Sequence, residues 1–239
     1  MKLKLIIATI FLLSSLSQQA NAQFGKLLND AKKAVTGSND SDQVGLGLKE
    51  ALNVGVEEAV KSLSATNGYL NSPYKILIPE DAQKVIDKVK MIPGFENVEQ
   101  KLVEKMNAAA ELAAKEATPI FVDAIKKITF KDAVGILNGG NGAATQYLET
   151  NTRSSLSAAF LPIIRKSLDE VNARTYWKSV VSAYNGIPFV KKMNPELDQY
   201  VDDKALDGMF SLIEKKEDGI RNDVNQRTSP LLKDVFGKK

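Results

Sequence analysis

VGLGLKEALNVGVEEAVKSL (residues 44–63) places apolar side chains at Val44, Leu48, Leu52, Val56, Val60 and Leu63. Lys49, Glu50, Glu57, Glu58 and Lys61 fall mostly off that stripe. A recurrence every three or four residues is the period of a helix with one buried face. Asn67-Gly68 ends it, because both residue types accept the left-handed conformation that closes a helix.

The same period continues downstream. Tyr74–Ile78 reads as a short extended piece, and Pro79 then opens a helix over 80–90 with acids in its first turn. Pro93-Gly94 is a turn. A long helix is predicted over 98–128, with Val103, Met106, Ala110, Ala113 and Ala117 on one face. Pro119 lies inside it and should kink or break it near Ala117. Thr129 and Asp132 form a capping box for a helix over 130–137. Asn138-Gly139-Gly140-Asn141-Gly142 then leads into a helix from Ala143 to about Ala173, which contains Pro162. Helical stretches follow over 175–184 and from Asn194-Pro195 through Tyr200. The next runs from Lys204 to about Arg221, capped by Asp202 or Asp203, and the last from Ser229-Pro230 to Phe236. The expected fold class is therefore all-α: one domain of about eight helices over residues 44–239, two of them kinked at internal prolines. The two prolines lie in similar settings 43 positions apart, but their flanks do not match as a repeat should.

Upstream of the helical domain the chain reads as an address. Lys2 and Lys4 make a basic start, Leu5–Leu13 is an apolar run, and Ala20-Asn21-Ala22 supplies a small-residue cleavage site. This is the pattern of a cleavable signal peptide over residues 1–22. The apolar run is too short to span a bilayer, and no later segment is long and apolar enough. The expected product is soluble, periplasmic or secreted, and starts near Gln23. Residues 23–43 read as a flexible lead-in, with a short helix at Phe24–Val35 and the turn-rich run Thr36–Asp42.

Composition excludes several chemistries. The 239 residues contain no histidine and no cysteine. That removes the usual general base, the thiol nucleophile, disulfides and the ordinary zinc ligands. Without signal residues 1–22, which hold two lysines and no acid, 30 basic side chains face 29 acidic ones. A near-neutral chain with dispersed charge has little drive toward nucleic acid. No cofactor or metal pattern appears, and Asn39-Asp40-Ser41-Asp42 is too compact for a calcium loop.

Four features carry candidate chemistry. The glycine-rich loop 138–142 precedes a helix start, where free N–H groups hold anions. It contains no basic residue and matches no phosphate-binding fingerprint, so a plain turn is the better reading. Asn107 and Glu111 share a helix face, while Thr145, Tyr147 and Thr152 sit on the helix after the glycine loop. If the two helices pack together, these five line one polar pocket, with Glu111 as a candidate general acid; otherwise they form an interhelical hydrogen-bond network, which is favoured. Paired acids such as Glu57-Glu58, Asp202-Asp203 and Glu217-Asp218 read as charged, solvated faces rather than a glycosidase pair. Glu217 and Arg221 stand four apart in the favourable order, as an ion pair docking the terminal helix, whose Leu231, Leu232, Val235 and Phe236 insert behind it.

The mature chain resembles a bacterial family known as domain of unknown function 4197. The resemblance rests on Gly47–Leu52, Met106–Glu111, Asp132-Ala133 with Gly135–Gly139, and Ala143–Tyr147. It continues through Tyr200-Val201, Lys204–Leu206, Ile220-Arg221, Arg227-Thr228 and Leu231–Gly237. The chain departs from the pattern at Ala108, where a basic residue is expected, which weakens any ion pair with Glu111. The resemblance implies an exported helical protein and brings no assigned catalytic residue. The expectation is a non-catalytic binding or interaction protein whose partner is an unknown protein. The alternatives are a carrier of a small hydrophobic ligand between kinked helices or, less favoured, a carboxylate-dependent hydrolase.

Overall fold

The structure, a computed structural model, describes residues 40–91, 93, 96–186, 188–194 and 196–237. The signal peptide, the Phe24–Val35 helix and Gly94 of the expected turn lie outside the described residues.

Among the described residues the chain is all-helical. In order come α1 Asp40–Ser64, α2 Glu80–Val89, α3 Val98–Ala114, α4 Ala117–Lys127 and α5 Phe130–Asn138. These are followed by α6 Ala143–Asp169, α7 Ala173–Asn185, α8 Leu197–Asn222, a 3-10 turn at Val224–Gln226 and α9 Pro230–Gly237. None of these helices is long and apolar enough to cross a membrane.

α1 packs against α3, α4, α5, α8 and α9, and it starts inside the segment expected to be a flexible lead-in. It buries Leu48, Leu52, Val56, Val60 and Leu63, the stripe quoted above, along with Ala51 and Ala59. Two small residues on it admit neighbours. A Cβ at Gly47 would overlap the Val235 side chain of α9, and one at Gly55 would touch Lys216 of α8. α8 runs antiparallel to α1: Lys216 pairs with Glu58 at 2.7 Å, and further on Gly208 admits Tyr69 and Tyr74 from beyond the other end of α1. On α3, Ala109, Ala110, Ala113 and Ala114 are fully buried, which lets backbones approach closely.

Three sequence expectations need correction. The helix predicted over 98–128 is two helices that part at Lys115-Glu116, with Pro119 in the first turn of α4. Proline lacks the N–H that a helix interior must donate, and a first turn does not need it. Pro162, in contrast, sits inside an unbroken α6. The cap expected at Asp202 or Asp203 is absent, since α8 begins at Leu197 and absorbs the stretch read as a separate short helix. Asp202 is fully buried against α6.

Local signals elsewhere are realised. Thr129 Oγ1 accepts from Asp132 N at 3.2 Å, and Asp132 Oδ2 accepts from Thr129 N at 2.9 Å, completing the capping box. After α1 the left-handed residue is Asn67, with φ 60°. Residues 75–79 have no regular secondary structure, so the extended piece expected at Tyr74–Ile78 is not a strand.

Candidate functional site

The five polar residues singled out from the sequence are divided among different places. Asn107 is fully buried and uses its amide as a substitute strand. Its Oδ1 accepts from Ile76 N at 2.8 Å, and its Nδ2 donates to Ile76 O at 2.9 Å and to Val103 O at 2.7 Å. Ile76 thereby satisfies both its backbone groups without a sheet. One turn on, Glu111 accepts from the backbone N–H groups of Asn67 (3.0 Å), Tyr69 (3.2 Å) and Leu70 (3.4 Å). It closes the turn that Asn67 opens. Burial, together with the Glu111 charge, raises the neighbouring Tyr69 hydroxyl above its ordinary range, and that hydroxyl donates to Ala205 O at 2.8 Å.

Thr145 belongs to a second cluster. Glu217, on α8, is buried rather than solvated, which corrects the expectation for this acid. Its carboxylate accepts from Ala144 N at 3.0 Å, Thr145 N at 2.8 Å and Thr145 Oγ1 at 2.8 Å, all at the first turn of α6. Arg221 pairs with Glu217 at 2.8 Å and donates to Ile136 O and Leu137 O at the end of α5. Asn141 Nδ2 donates to Asp218 Oδ1 at 2.5 Å. The glycine loop 138–142 is therefore gripped at both ends: a carboxylate takes the N–H groups that follow it, and a guanidinium takes the carbonyls that precede it. The anion at this helix N-terminus is the protein's own Glu217, which satisfies both the free amides and the helix dipole. The Phe236 ring of α9 covers Arg221 at 5.8 Å, so the pair does help to dock the terminal helix. The Glu217 cluster lies beside the Leu48–Gly55 part of α1, whereas Glu111 binds residues just past its end. At about 1.5 Å per residue, the two carboxylates are roughly 20 Å apart along α1. Asn107 and Glu111 act on one loop, and Thr145 does not join them.

Tyr147 and Thr152 occupy a third place. Both line a surface groove of about 330 Å³ between α4 and α6, together with Asp123, Lys127 and Ser155. Thr152 is buried and returns its hydroxyl to Leu148 O at 2.6 Å. Tyr147 bonds to Asp132, and burial followed by that carboxylate raises its hydroxyl pKa.

The α6–α8 seam holds polar residues that helical periodicity alone did not single out. Arg165 Nε donates to Asp198 Oδ2 at 2.5 Å, Ser157 Oγ to Asp202 Oδ2 at 2.6 Å, and Arg153 to Asp207 Oδ1 at 2.7 Å. With Thr145–Glu217 these pairs step in opposite directions along the two helices, so they fix an antiparallel register. Burial drives the Asp198 carboxyl upward, but Arg165 and Arg174 outweigh it and hold it below its ordinary value. Burial pushes Asp202 up to about 6, and the Asp203 and Asp198 charges add to the rise against the Ser157 hydrogen bond and the Arg153 charge. Asp202 Oδ1 is buried without a hydrogen-bond partner. Among the described residues, no three acids stand close enough to hold a metal ion.

A family model described as Protein of unknown function (DUF4197) matches residues 38–237. The chain belongs to the DUF4197 family. The matched span of this DUF4197 protein contains every described helix, α1 through α9. Four blocks that carried the resemblance, Gly135–Gly139, Ala143–Tyr147, Ile220-Arg221 and Leu231–Gly237, meet at the grip on the glycine loop. No curated protein and no solved structure matches the chain.

A further concavity lies elsewhere. Between α3 and α7 lies an open groove of about 390 Å³, with Val98, Leu102, Val171 and Ala173 as its apolar part. Lys101 and Lys105 stand on its rim. That volume lies within the range of small-molecule sites, about 300–1,000 Å³.

Proposed function

We propose that this protein is an exported, non-catalytic helical binding protein that presents a surface groove to its ligand. One observation carries the reading: the candidate side chains Asn107, Glu111 and Glu217 are occupied by the backbone. Glu111 serves three loop amides, Glu217 serves a helix start and Arg221, and Asn107 serves Ile76. A general acid needs a face open to substrate, and these groups point into the fold. The α3–α7 groove supports the binding half of the proposal. Of the five sequence candidates, Tyr147 and Thr152 keep a place beside a groove, and Asn107, Glu111 and Thr145 are read as framework. Export rests on the pattern of residues 1–22.

Three measurements test this. The full chain, expressed in a bacterial host, should appear in the periplasmic fraction with an N-terminus near Gln23; a retained Met1 overturns export. Native mass spectrometry of that purified protein should show a non-covalent adduct. A hydrolytic activity abolished by Glu111→Gln, with no loss of stability, overturns the non-catalytic reading.

A further inference from the structure

The α3–α7 groove combines two features that are individually ordinary. Its floor is apolar, and Val171 leaves 40% of its surface in water there. Its rim carries Lys101 and Lys105, four apart on one face of α3 and both exposed. No described acid pairs with either lysine; Glu104, on the same rim, is engaged by Gln100 Nε2 at 2.9 Å.

The exposed valine is not the result of a loose turn. It sits between α6 and α7, where Asn172 holds φ 54° and donates its N–H to Asp169 O at 3.0 Å. Arg174 fastens the turn with two bonds to Asp169, at 3.1 and 2.9 Å, and reaches Asp198 at 3.3 Å. Asp198 is itself fully buried and bound by Arg165. A left-handed asparagine and a four-residue ion cluster thus hold an apolar side chain rigidly toward the groove. A preorganised surface loses little freedom when it is occupied.

An apolar floor with two unpaired ammonium groups at its edge is complementary to a molecule with one anionic end and one apolar chain. We propose that this groove binds a single-chain anionic amphiphile, a fatty-acid carboxylate of about twelve carbons, with the chain along Val98, Leu102 and Val171 and the carboxylate between Lys101 and Lys105. The proposal rests on the binding-protein reading and names the ligand class of that groove. Glu104 limits the excess charge at the rim, so binding depends on both lysines together and weakens with salt.

The test is titration calorimetry of the mature protein with dodecanoate below its micellar concentration, beside amide NMR mapping. One equivalent should bind, with shifts centred on residues 98–105 and 171–176. The double variant Lys101→Gln/Lys105→Gln should weaken binding about fivefold, as two exposed ion pairs allow. Val171→Asp, which sets a like charge on the floor, should abolish it. All these positions are exposed, and thermal unfolding verifies that the variants fold. Dodecyl maltoside binding as tightly as dodecanoate, with no effect of the lysines, overturns the anionic class. Shifts elsewhere overturn the site. No binding of dodecanoate overturns the inference alone; the broader reading fails only if protein from the periplasm also carries no adduct.

Discussion

Replacing Glu111 by Gln keeps the shape of the side chain and removes its charge. In the native chain one carboxylate accepts three backbone N–H groups, at 3.0, 3.2 and 3.4 Å, from a turn whose first residue is left-handed. Glutamine retains one acceptor oxygen, which serves Tyr69 and Leu70 as a neutral partner. Its NH₂ group then faces the N–H of Asn67, donor against donor. Hydrogen bonds to a charged group contribute about 1.5–3 kcal/mol against about 1 for neutral ones, and three bonds lose the charge at once, although the Asn67 N–H, on an exposed residue, can turn to water. The expected destabilisation is therefore roughly 2–4 kcal/mol. In urea denaturation the midpoint should fall with an unchanged slope. In thermal unfolding the shift should be roughly 5–15 °C for a chain of this size. Ligand binding at the α3–α7 groove should stay within about twofold, because the loop lies outside it. A loss of under about 0.5 kcal/mol would refute the reasoning, since three aimed amides cannot then depend on that charge.

Glu217→Gln breaks a buried pair and loosens the first turn of α6. It should cost about 3–5 kcal/mol in the same assay, much of it from leaving Arg221 buried and unpaired. Gly142, with φ 77° and Glu214 Oε1 about 3.0 Å from any added Cβ, should lose about 1–2 kcal/mol on change to Ala. Asp202 gives a pH signature. Burial raises its folded pKa to about 6 from an ordinary 3.8, so the folded chain holds a proton that the unfolded chain has released between those values. Stability from this group is thus greatest at low pH and is lost as pH rises through 6, by about 3 kcal/mol in full. Asp202→Asn, which cannot ionise, should improve relative to the native protein by about 2 kcal/mol between pH 4.5 and 7.5. Paired melts at the two pH values check this, and an equal difference at both would count against it.

Features set by nearby residues were legible in the sequence. The buried stripe of α1, the Thr129–Asp132 box and the left-handed turn after α1 each depend on residues within a turn or two. The grip on the glycine loop was only half legible. Glu217 and Arg221 are four apart and announce a pair, but the carboxylate's other partners, Ala144 and Thr145, lie more than seventy residues away. Asp202 illustrates the converse failure. An aspartate before a helical run reads as a cap, and here the helix simply starts earlier because Asp198 and Asp202 are anchored to Arg165 and Ser157 across the seam. Pro119 marked a disruption correctly, while the choice between kink and break depended on how α4 packs against α1 and α6. The α3–α7 groove left no local signal, because Val171 and Lys101 are ordinary surface residues until the fold brings them together.

Amide hydrogen exchange addresses the central claim, that buried carboxylates serve the fold. Amides in a loop or in the first turn of a helix normally exchange fast, having no backbone acceptor. Here Asn67, Tyr69 and Leu70 are bonded to Glu111, and Ala144 and Thr145 to Glu217. Protection of all five near the level of the α1 core amides is the expected result. Exchange at the rate of exposed loop amides would contradict it and return both carboxylates to the list of groups free for chemistry.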